Sequence, residues 1–311
     1  MTAPVPPSTG SRATQNRSAL IAVIVAVLIG AGLAVAGSFS GARVAGIPVF
    51  ALAVAAAFVI QFVAFIPSAL RRTERFFDLT GSLTFIAVSV AVALLAPGQD
   101  ARGWILAAMV IVWAARLGSF LFARVHRSGS DGRFDEIKTK PLRFLQVWAI
   151  QGLWVSLTAS AAWIAMSADA GDREPLDGFA IAGIVVWIVG MVFEVVADRQ
   201  KQAFRADPAN KGEFIRTGLW SRSRHPNYFG EILVWVGVFL VAVPVLQGWQ
   251  WVAVLSPLFV ILLLTRVSGI PLLEKRADEK WGDRADYRAY RDRTPVLIPA
   301  LTARAGAEAQ R

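Results

Sequence analysis

Residues 223–246 read SRHPNYFGEILVWVGVFLVAVPVL, a dense polar cluster that runs directly into an apolar stretch. The apolar part, residues 232–246, is typical of a segment that crosses a lipid bilayer. Polar and ionisable groups at a membrane boundary are energetically costly and are usually kept for function. The stretch therefore predicts a membrane-spanning helix with a functional site at its amino-terminal end.

Apolar runs of about 18–25 residues, the length needed to cross a bilayer, recur along the whole chain. Of its 311 residues, 55% are hydrophobic and 17% are charged, whereas about 25% are charged in an average soluble domain. The first run lacks a convincing cleavage site, so we expect it to be retained as a helix. The chain is predicted to be an all-α, polytopic integral membrane protein with eight spans, near residues 19–37, 47–67, 79–96, 103–122, 143–167, 178–197, 229–247 and 249–267.

The formal net charge of +10 is unevenly distributed. The stretches 123–143 and 198–227 and the tail from Arg266 onward hold six, seven and ten of the 32 Lys and Arg residues. Basic residues gather in cytoplasmic loops of membrane proteins, so the pattern predicts cytoplasmic location of both termini. It also argues against a nucleic-acid partner, for which a continuous basic face would be expected.

Composition also suggests the boundaries of the folded part. Residues 1–18 are rich in Pro, Ser and Thr, and we expect them to be disordered, as we do residues 301–311. Residues 19–300 are predicted to form a single transmembrane domain. The chain has no cysteine and only two histidines, His126 and His225, so we predict no metal site.

An acidic and basic stripe continues the sixth span toward the cytosol. Glu194, Asp198 and Arg205 recur at helical spacing and share one face of the helix, which Asp207-Pro208 then ends. The stripe could face a cofactor, with Asp198 accepting hydroxyl hydrogens and Arg205 holding a phosphate. Alternatively, it could be a structural Glu–Arg pair that closes the helix bundle.

The cluster at residues 217–228 opens the seventh span. Pro226 pre-sets a helix start, and the free N–H groups of that start, with Arg224 beside them, favour an anion. Glu231 lies one turn further on and shares a face with Asn227 and Trp235. Interfacial anchoring is the alternative, although it would require neither His225 nor an inward-facing acid.

The basic tail, residues 274–299, predicts an amphipathic helix, a turn and a short apolar anchor. It could be a lid over a cofactor or a peripheral helix on an anionic leaflet. Arg116, inside the fourth span, either snorkels to the cytosol or points inward toward an acid or a phosphate. Five tryptophans could form interfacial belts or line an apolar cavity: Trp113, Trp148, Trp154, Trp163 and Trp187.

Together these segments resemble the steroid 5-alpha-reductase-like family, in particular its bacterial membrane members, over residues 110–300. The most specific part is residues 224–231, Arg-His-Pro-Asn-Tyr-Phe-Gly-Glu. The other matching residues are Arg116-Leu117-Gly118, Asp131-Gly132-Arg133, Asp198-Arg199-Gln200-Lys201, Gly218-Leu219-Trp220 and residues 287–299.

The resemblance implies a cavity within the membrane, open to the cytosol, where NADPH reduces a carbon–carbon double bond of an apolar, lipid-like substrate. It implies a bacterial plasma membrane location and membrane lipid as the surroundings, and it suggests no protein partner. Tyr228 and Glu231 would be the catalytic candidates, while Arg116 and Trp235 would line the substrate cavity. The cofactor-binding candidates are Glu194, Asp198, Arg205, Arg224, His225, Asn227, Glu231, Tyr290 and Arg293.

One departure from the family pattern bears on the substrate. Characterised steroid reductases use a Glu and a Tyr in their N-terminal half to polarise the substrate carbonyl. This chain has Phe65 where that Glu is expected, and no tyrosine precedes Tyr228. A 3-oxosteroid substrate is therefore disfavoured.

Two other functions remain open. Isoprenylcysteine and phospholipid methyltransferases share an Arg-His-Pro-x-Tyr turn and a later Glu, which hold S-adenosylmethionine in those enzymes; Arg224 to Tyr228 and Glu274 are similar. The stripe from Asp198 to Arg205 favours the reductase, because methyl transfer needs no phosphate clamp. A non-enzymatic lipid-binding protein would use the polar stripes for packing and anchoring only.

Overall fold

The computed structural model describes residues 9–128 and 134–300, with side chains for residues 13–121 and 134–300. Within these ranges the fold is helical apart from short turns and one small hairpin, β1 (Arg43–Val44) and β2 (Ile47–Pro48). The helices are α1 (Thr9–Gly37), α2 (Val49–Arg71), α3 (Phe77–Leu95), α4 (Ala101–Ser128), α5 (Pro141–Met166), α6 (Gly178–Ala206), α7 (Pro226–Ala242), α8 (Leu255–Leu262), α9 (Ile270–Trp281) and α10 (Ala285–Arg293).

The predicted all-α membrane fold with eight spans is confirmed. Eight helical segments of the described chain are long and apolar enough to cross a membrane, which makes the chain an integral membrane protein. They are Ala13–Gly37, Val49–Arg71, Phe77–Leu95, Ala101–Leu121, Pro141–Met166, Gly178–Ala206, Pro226–Val245 and Gly248–Trp281. The last of them is interrupted, because a π-helical turn at Leu263–Val267 separates α8 from α9.

The structure describes part of the N-terminal segment that the sequence predicts to be disordered. Helix α1 begins at Thr9 and so includes part of the segment 1–18 that we expected to be disordered. Ala13, Gln15 and Arg17 have good helix propensity, which allows the apolar span to extend toward the N-terminus. Residues 1–8 and 301–311 lie outside the described part of the chain, and the boundary at 300 stays a prediction.

Within the range 19–300, the structure distinguishes two compact units. The first comprises Met1–Asp177 and Ala242–Ser256, and the second comprises Gly178–Val241 and Pro257–Arg311.

The first unit is built around α5, which contacts α1, α2, α3 and α4. Every residue from Val155 to Ala168 is buried, including Ser156, Thr158 and Ser160. A helix that is buried on all sides forms the core of a bundle, whereas α1 keeps most of its surface exposed to lipid. Polar side chains inside this core pair with one another, as where Trp163 Nε1 donates to Ser89 Oγ at 2.9 Å.

The interfacial-belt interpretation is wrong for three of the five tryptophans. Trp113, Trp148 and Trp163 are fully buried. The rings of Trp113 and Trp148 pack edge-on against Phe85 and Phe77, with centroid distances of 5.2 Å and 5.0 Å. They belong to the core of the first unit. The strongly exposed tryptophans of this unit stand near span ends instead, as a belt requires: Trp104, Trp249 and Trp251.

In the second unit, α6 and α7 touch through glycines. A Cβ built at Gly190 would lie 2.7 Å from the carbonyl oxygen of Gly230. A Cβ built at Gly237 would lie 2.6 Å from the carbonyl oxygen of Gly183. Such backbone contact is possible only without side chains, and small residues allow it in membrane helix pairs. The glycines bring the polar ends of α6 and α7 together.

The α6–α7 contact predicts that Gly190→Ala destabilises the protein. Alanine normally stabilises a helix interior relative to glycine by about 1 kcal/mol, but here the methyl group would overlap backbone atoms and force the helices apart. We expect a net loss of about 1–3 kcal/mol, measured as a lower thermal unfolding temperature in detergent.

Gly178→Ala is the matched control, because it lies on the same helix and a Cβ there would meet nothing within 4 Å. An unfolding temperature of Gly190→Ala equal to that of the control would contradict the close-contact interpretation.

Candidate functional site

The turn before α7 is hydrogen-bonded to the carboxyl-terminal end of α6. Gly218 adopts a φ of +60°, which is strained for other residues. The Leu219 N–H donates to Gln200 Oε1 at 2.9 Å, and the buried Trp220 donates through Nε1 to the Ala197 carbonyl at 3.0 Å. The turn is therefore held on α6, which continues to Ala206 as its sequence predicted.

A carboxylate bridges the two residues that precede α7. His225 Nε2 lies 2.7 Å from Glu274 Oε1, and Arg224 pairs with Glu274 Oε2. The imidazole is buried and nearly parallel to the Tyr228 ring, with 5.7 Å between centroids. Because Glu274 lies on α9, this contact joins α9 to the start of α7.

The chain after α10 covers the turn. The Arg224 N–H donates to the Pro295 carbonyl at 2.9 Å, and the Ala300 N–H donates to the Arg222 carbonyl at the same distance. The Tyr290 hydroxyl donates to the Trp220 carbonyl at 2.7 Å. Residues 295–300 thus lie along the turn and are hydrogen-bonded to it.

Helix α10 is held by a charged cluster. Arg284 donates to Glu213 at 2.7 Å and to Asp286 at 2.9 Å, and this guanidinium keeps the pKa of both carboxyls below the usual range. Burial raises the pKa of Tyr287 to about 12 and also raises the pKa of Tyr290. At neutral pH the cluster is therefore fully charged and both tyrosines are neutral hydroxyl groups.

The end of α6, the turn, α9 and α10 line an open cavity of about 330 Å³ within the second unit. Aromatic side chains supply much of its wall, and basic side chains surround them. The aromatic members are Phe204, Phe214, Trp220, Trp281, Tyr287 and Tyr290.

The cavity has an excess of positive charge. Its acidic lining residues, Glu213 and Glu274, already pair with arginine. The other basic residues of the lining are Lys201, Arg205, Arg276 and Lys280. Within the described part of the chain they form no ion pair with a carboxylate. Lys201 Nζ lies 4.4 Å from the centre of the Trp220 ring, and Lys280 Nζ lies 4.6 Å from the centre of the Trp281 ring. Such a set can bind a multivalent anion.

Four of the predicted site residues line this cavity. They are Arg205, Arg224, His225 and Tyr290. Arg205 is exposed at the end of α6, whereas Arg224 is occupied by Glu274. The structure therefore brings together the end of α6, the turn and the basic tail.

A second group of predicted residues lies beside the cavity rather than in its lining. Glu194 is buried where α6 meets Gly230. Tyr228 is half-buried on α7 and interacts electrostatically with Glu231 and with Asp198 of α6. Asp198 in turn interacts with Lys201 of the cavity. Tyr228 thus lies beside the cavity, within electrostatic range of both Asp198 and Glu231.

The remaining predicted residues are placed as follows. Asn227 is half-buried in the first turn of α7, and Trp235 is buried two turns further along that helix. Arg293 ends α10 and interacts electrostatically with Tyr290. Arg116 belongs to the first unit, where its guanidinium lies 5.6 Å from the centre of the Phe120 ring, and it does not line the cavity. The segment 131–133 and the His126 side chain lie outside the described residues.

Sequence reasoning missed Arg276 and Lys280 as site residues. They lie one helical turn apart on α9, a spacing that places both on one face. That spacing was a usable signal, but α9 carries acids at similar spacing, so the sequence alone does not show which cations stay unpaired.

Residues 64–294 match the family model described as "Protein of unknown function (DUF1295)". An uncharacterized protein of Schizosaccharomyces pombe is 27% identical, with 64% of each chain covered. A "Probable O-methyltransferase" of Ustilaginoidea virens is 37% identical over 22% of this chain and 24% of its own. A steroid 5-alpha-reductase of Gossypium hirsutum is 30% identical over 30% of this chain and 34% of its own.

The alignments span less than two thirds of the length of each of these relatives. No solved structure matches the chain with statistical significance. The family model, however, covers well over half of the chain, including α6, the turn, α7 and α9. The chain therefore belongs to the DUF1295 family, which is the steroid 5-alpha-reductase-like family.

Proposed function

We propose that the protein is an NADPH-dependent membrane reductase that transfers a hydride to a carbon–carbon double bond of an apolar, lipid-like substrate. Family membership and the similarity to a steroid 5-alpha-reductase support an oxidoreductase. The observation that carries the cofactor assignment is a set of cavity cations that form no ion pair with a carboxylate of the described residues: Lys201, Arg205, Arg276 and Lys280.

The charge of the cavity fits a phosphate-rich cofactor. Cations that lack an acidic partner repel one another, and an anionic ligand relieves that repulsion while gaining charge-assisted hydrogen bonds. NADPH carries a diphosphate and a 2′-phosphate, and its adenine ring can pack on aromatic side chains such as Trp281. S-adenosylmethionine carries no phosphate.

The residues beside the cavity suit the reacting end of such a cofactor. Asp198 would accept ribose hydroxyl hydrogens, and Asn227 and Glu231 would orient the cofactor's carboxamide. A bound NADPH would supply the hydride for one carbon of the double bond. The other carbon needs a proton, which the half-buried Tyr228 hydroxyl could donate, since Tyr228 is the candidate acid beside the cavity.

The surroundings of the protein follow from its basic segments. We infer a plasma membrane location, with both termini and the cavity facing the cytosol. The substrate would then enter from the bilayer, whose lipid is the natural solvent of an apolar molecule. Among possible substrates, a sterol, a polyprenyl lipid and an unsaturated acyl chain all suit this route.

One observation favours a second function. Glu274 contacts both Arg224 and His225, so the Arg-His-Pro turn and the later Glu are joined as the methyltransferase resemblance implies. The similarity to an O-methyltransferase-named relative points the same way. An S-adenosylmethionine-dependent membrane methyltransferase is therefore the alternative, although it leaves the basic lining of the cavity without a role.

Ligand titration separates the two functions. With the full-length protein in detergent, NADPH should raise the unfolding temperature, because a ligand that binds only the folded state stabilises it. At a concentration of about 100 times Kd the gain is about 2.7 kcal/mol. Scanning fluorimetry measures it directly, with S-adenosylmethionine titrated in parallel.

An increase with S-adenosylmethionine alone would replace the reductase assignment by the methyltransferase. No increase with either ligand would favour a non-enzymatic lipid-binding protein.

Substitution of the predicted contact residues should weaken the binding of NADPH. Arg205→Gln removes a hydrogen bond to a charged phosphate, which costs about 1.5–3 kcal/mol, whereas Asn227→Ala removes one between neutral groups, which costs about 0.5–1.5 kcal/mol. We expect the Kd for NADPH to rise by roughly one to two decades in Arg205→Gln and by up to about one decade in Asn227→Ala, measured by fluorescence titration.

Lys211→Gln is the control, because Lys211 is exposed in the loop after α6 and does not line the cavity. Equal affinity in all three variants and the parent protein would remove Arg205 and Asn227 from the site.

A further inference from the structure

The cavity cations form two separate pairs. Lys201 and Arg205 lie one turn apart on α6, and Arg276 and Lys280 lie one turn apart on α9. All four line the same cavity. Two like charges one turn apart on a helix repel each other, so each pair is a local concentration of positive charge that an anion would stabilise.

The acidic residues of α9 do not neutralise its pair. Glu274 is engaged by Arg224 and His225, Asp278 accepts from Arg291 at 2.9 Å, and Glu279 lies 3.9 Å from Lys275. Each carboxylate of α9 therefore has a partner other than Arg276 and Lys280. Arg276 and Lys280 therefore line the cavity, while the acidic residues of α9 are paired with other cations.

The two pairs have different neighbours. Lys201 follows Asp198 by about one turn of α6, and its Nζ lies 4.4 Å from the centre of the Trp220 ring. Lys280 lies over the ring of Trp281, beside the aromatic group of Phe214 and Tyr287. Both pairs therefore lie beside an aromatic ring, and the α6 pair is the one on the helix of Asp198, which the proposed function places at the cofactor.

A dinucleotide carries phosphates at two separate places. Its diphosphate lies between the nicotinamide and the adenosine, and the 2′-phosphate of NADPH is on the adenosine. An adenine packed on Trp281 would place the adenosine ribose near α9 and leave the diphosphate toward α6.

We propose that Arg276 and Lys280 form a distinct subsite for the 2′-phosphate of NADPH, and that Lys201 and Arg205 bind the diphosphate. The α9 pair then determines the preference for NADPH over NADH, which carries a hydroxyl group at the 2′ position. The inference rests on the proposed function, since it divides that cofactor site into two anion subsites.

The test compares nucleotides with and without the 2′-phosphate. The full-length protein in a zwitterionic detergent is titrated with NADPH, NADH, adenosine 2′,5′-bisphosphate and 5′-AMP. The double variant Arg276→Gln/Lys280→Gln should weaken the binding of NADPH and of the bisphosphate roughly 10–100-fold. Its affinities for NADH and 5′-AMP should be unchanged. Arg205→Gln should weaken NADPH and NADH by the same factor.

Lys211→Gln is the control, since Lys211 is exposed in the loop after α6 and does not line the cavity. The unfolding temperature of each ligand-free variant verifies folding. An equal loss of NADPH and NADH affinity in the double variant, or no loss of either, would overturn the subsite assignment alone.

A parent protein that binds no NADPH would overturn the proposed function and the subsite with it. The same titrations in nanodiscs of phosphatidylcholine, with and without phosphatidylglycerol, test a lipid headgroup as the source of the phosphate. Nucleotide affinities of the double variant equal to those of the parent, with weaker binding only to phosphatidylglycerol, would assign the α9 pair to lipid and overturn the subsite.

Discussion

The bridging contact of Glu274 with Arg224 and His225 is the constraint on which the geometry of the second unit depends. It joins α9 to the turn that opens α7, and the cavity lies among these elements and the end of α6. The Arg224 and His225 side chains are only 13% and 6% exposed, so the carboxylate compensates groups that have lost much of their hydration. Removing one partner of a buried pair is far more costly than never forming it.

The glycine contacts between α6 and α7 also hold the second unit together, but they do so by close backbone packing rather than by an ion pair. In lipid, helix association is not driven by the hydrophobic effect, so close backbone packing and polar contacts must hold helices together. Gly190 and Gly230 permit that approach directly beside Glu194. The carboxyl-terminal part of α6, with Asp198, and the amino-terminal part of α7, with Tyr228, are thereby brought within electrostatic range of each other.

The parts of this structure that the sequence predicted correctly are those set by local rules. Span length follows from bilayer thickness, and the end of α6 at Ala206 follows from Asp207-Pro208. Burial of tryptophan does not follow from such rules, because the indole ring is both apolar and polar and suits a core as well as an interface. Trp148 and Trp163 are therefore distinguished from Trp249 only by tertiary packing.

Tertiary contacts that cannot be predicted from the sequence also determine the charge of the site. They explain how a helix with both acidic and basic residues presents a basic surface. α9 carries Glu274, Asp278 and Glu279 among its lysines and arginines, and from the sequence any of these acids could neutralise any neighbour. In the structure each acid has a partner other than Arg276 and Lys280: the turn engages Glu274, α10 engages Asp278, and Lys275 engages Glu279. The positive charge of the cavity therefore results from where the acids find their partners. A binding site for phosphate can arise in this way on a helix whose composition is nearly balanced, and only the tertiary structure reveals it.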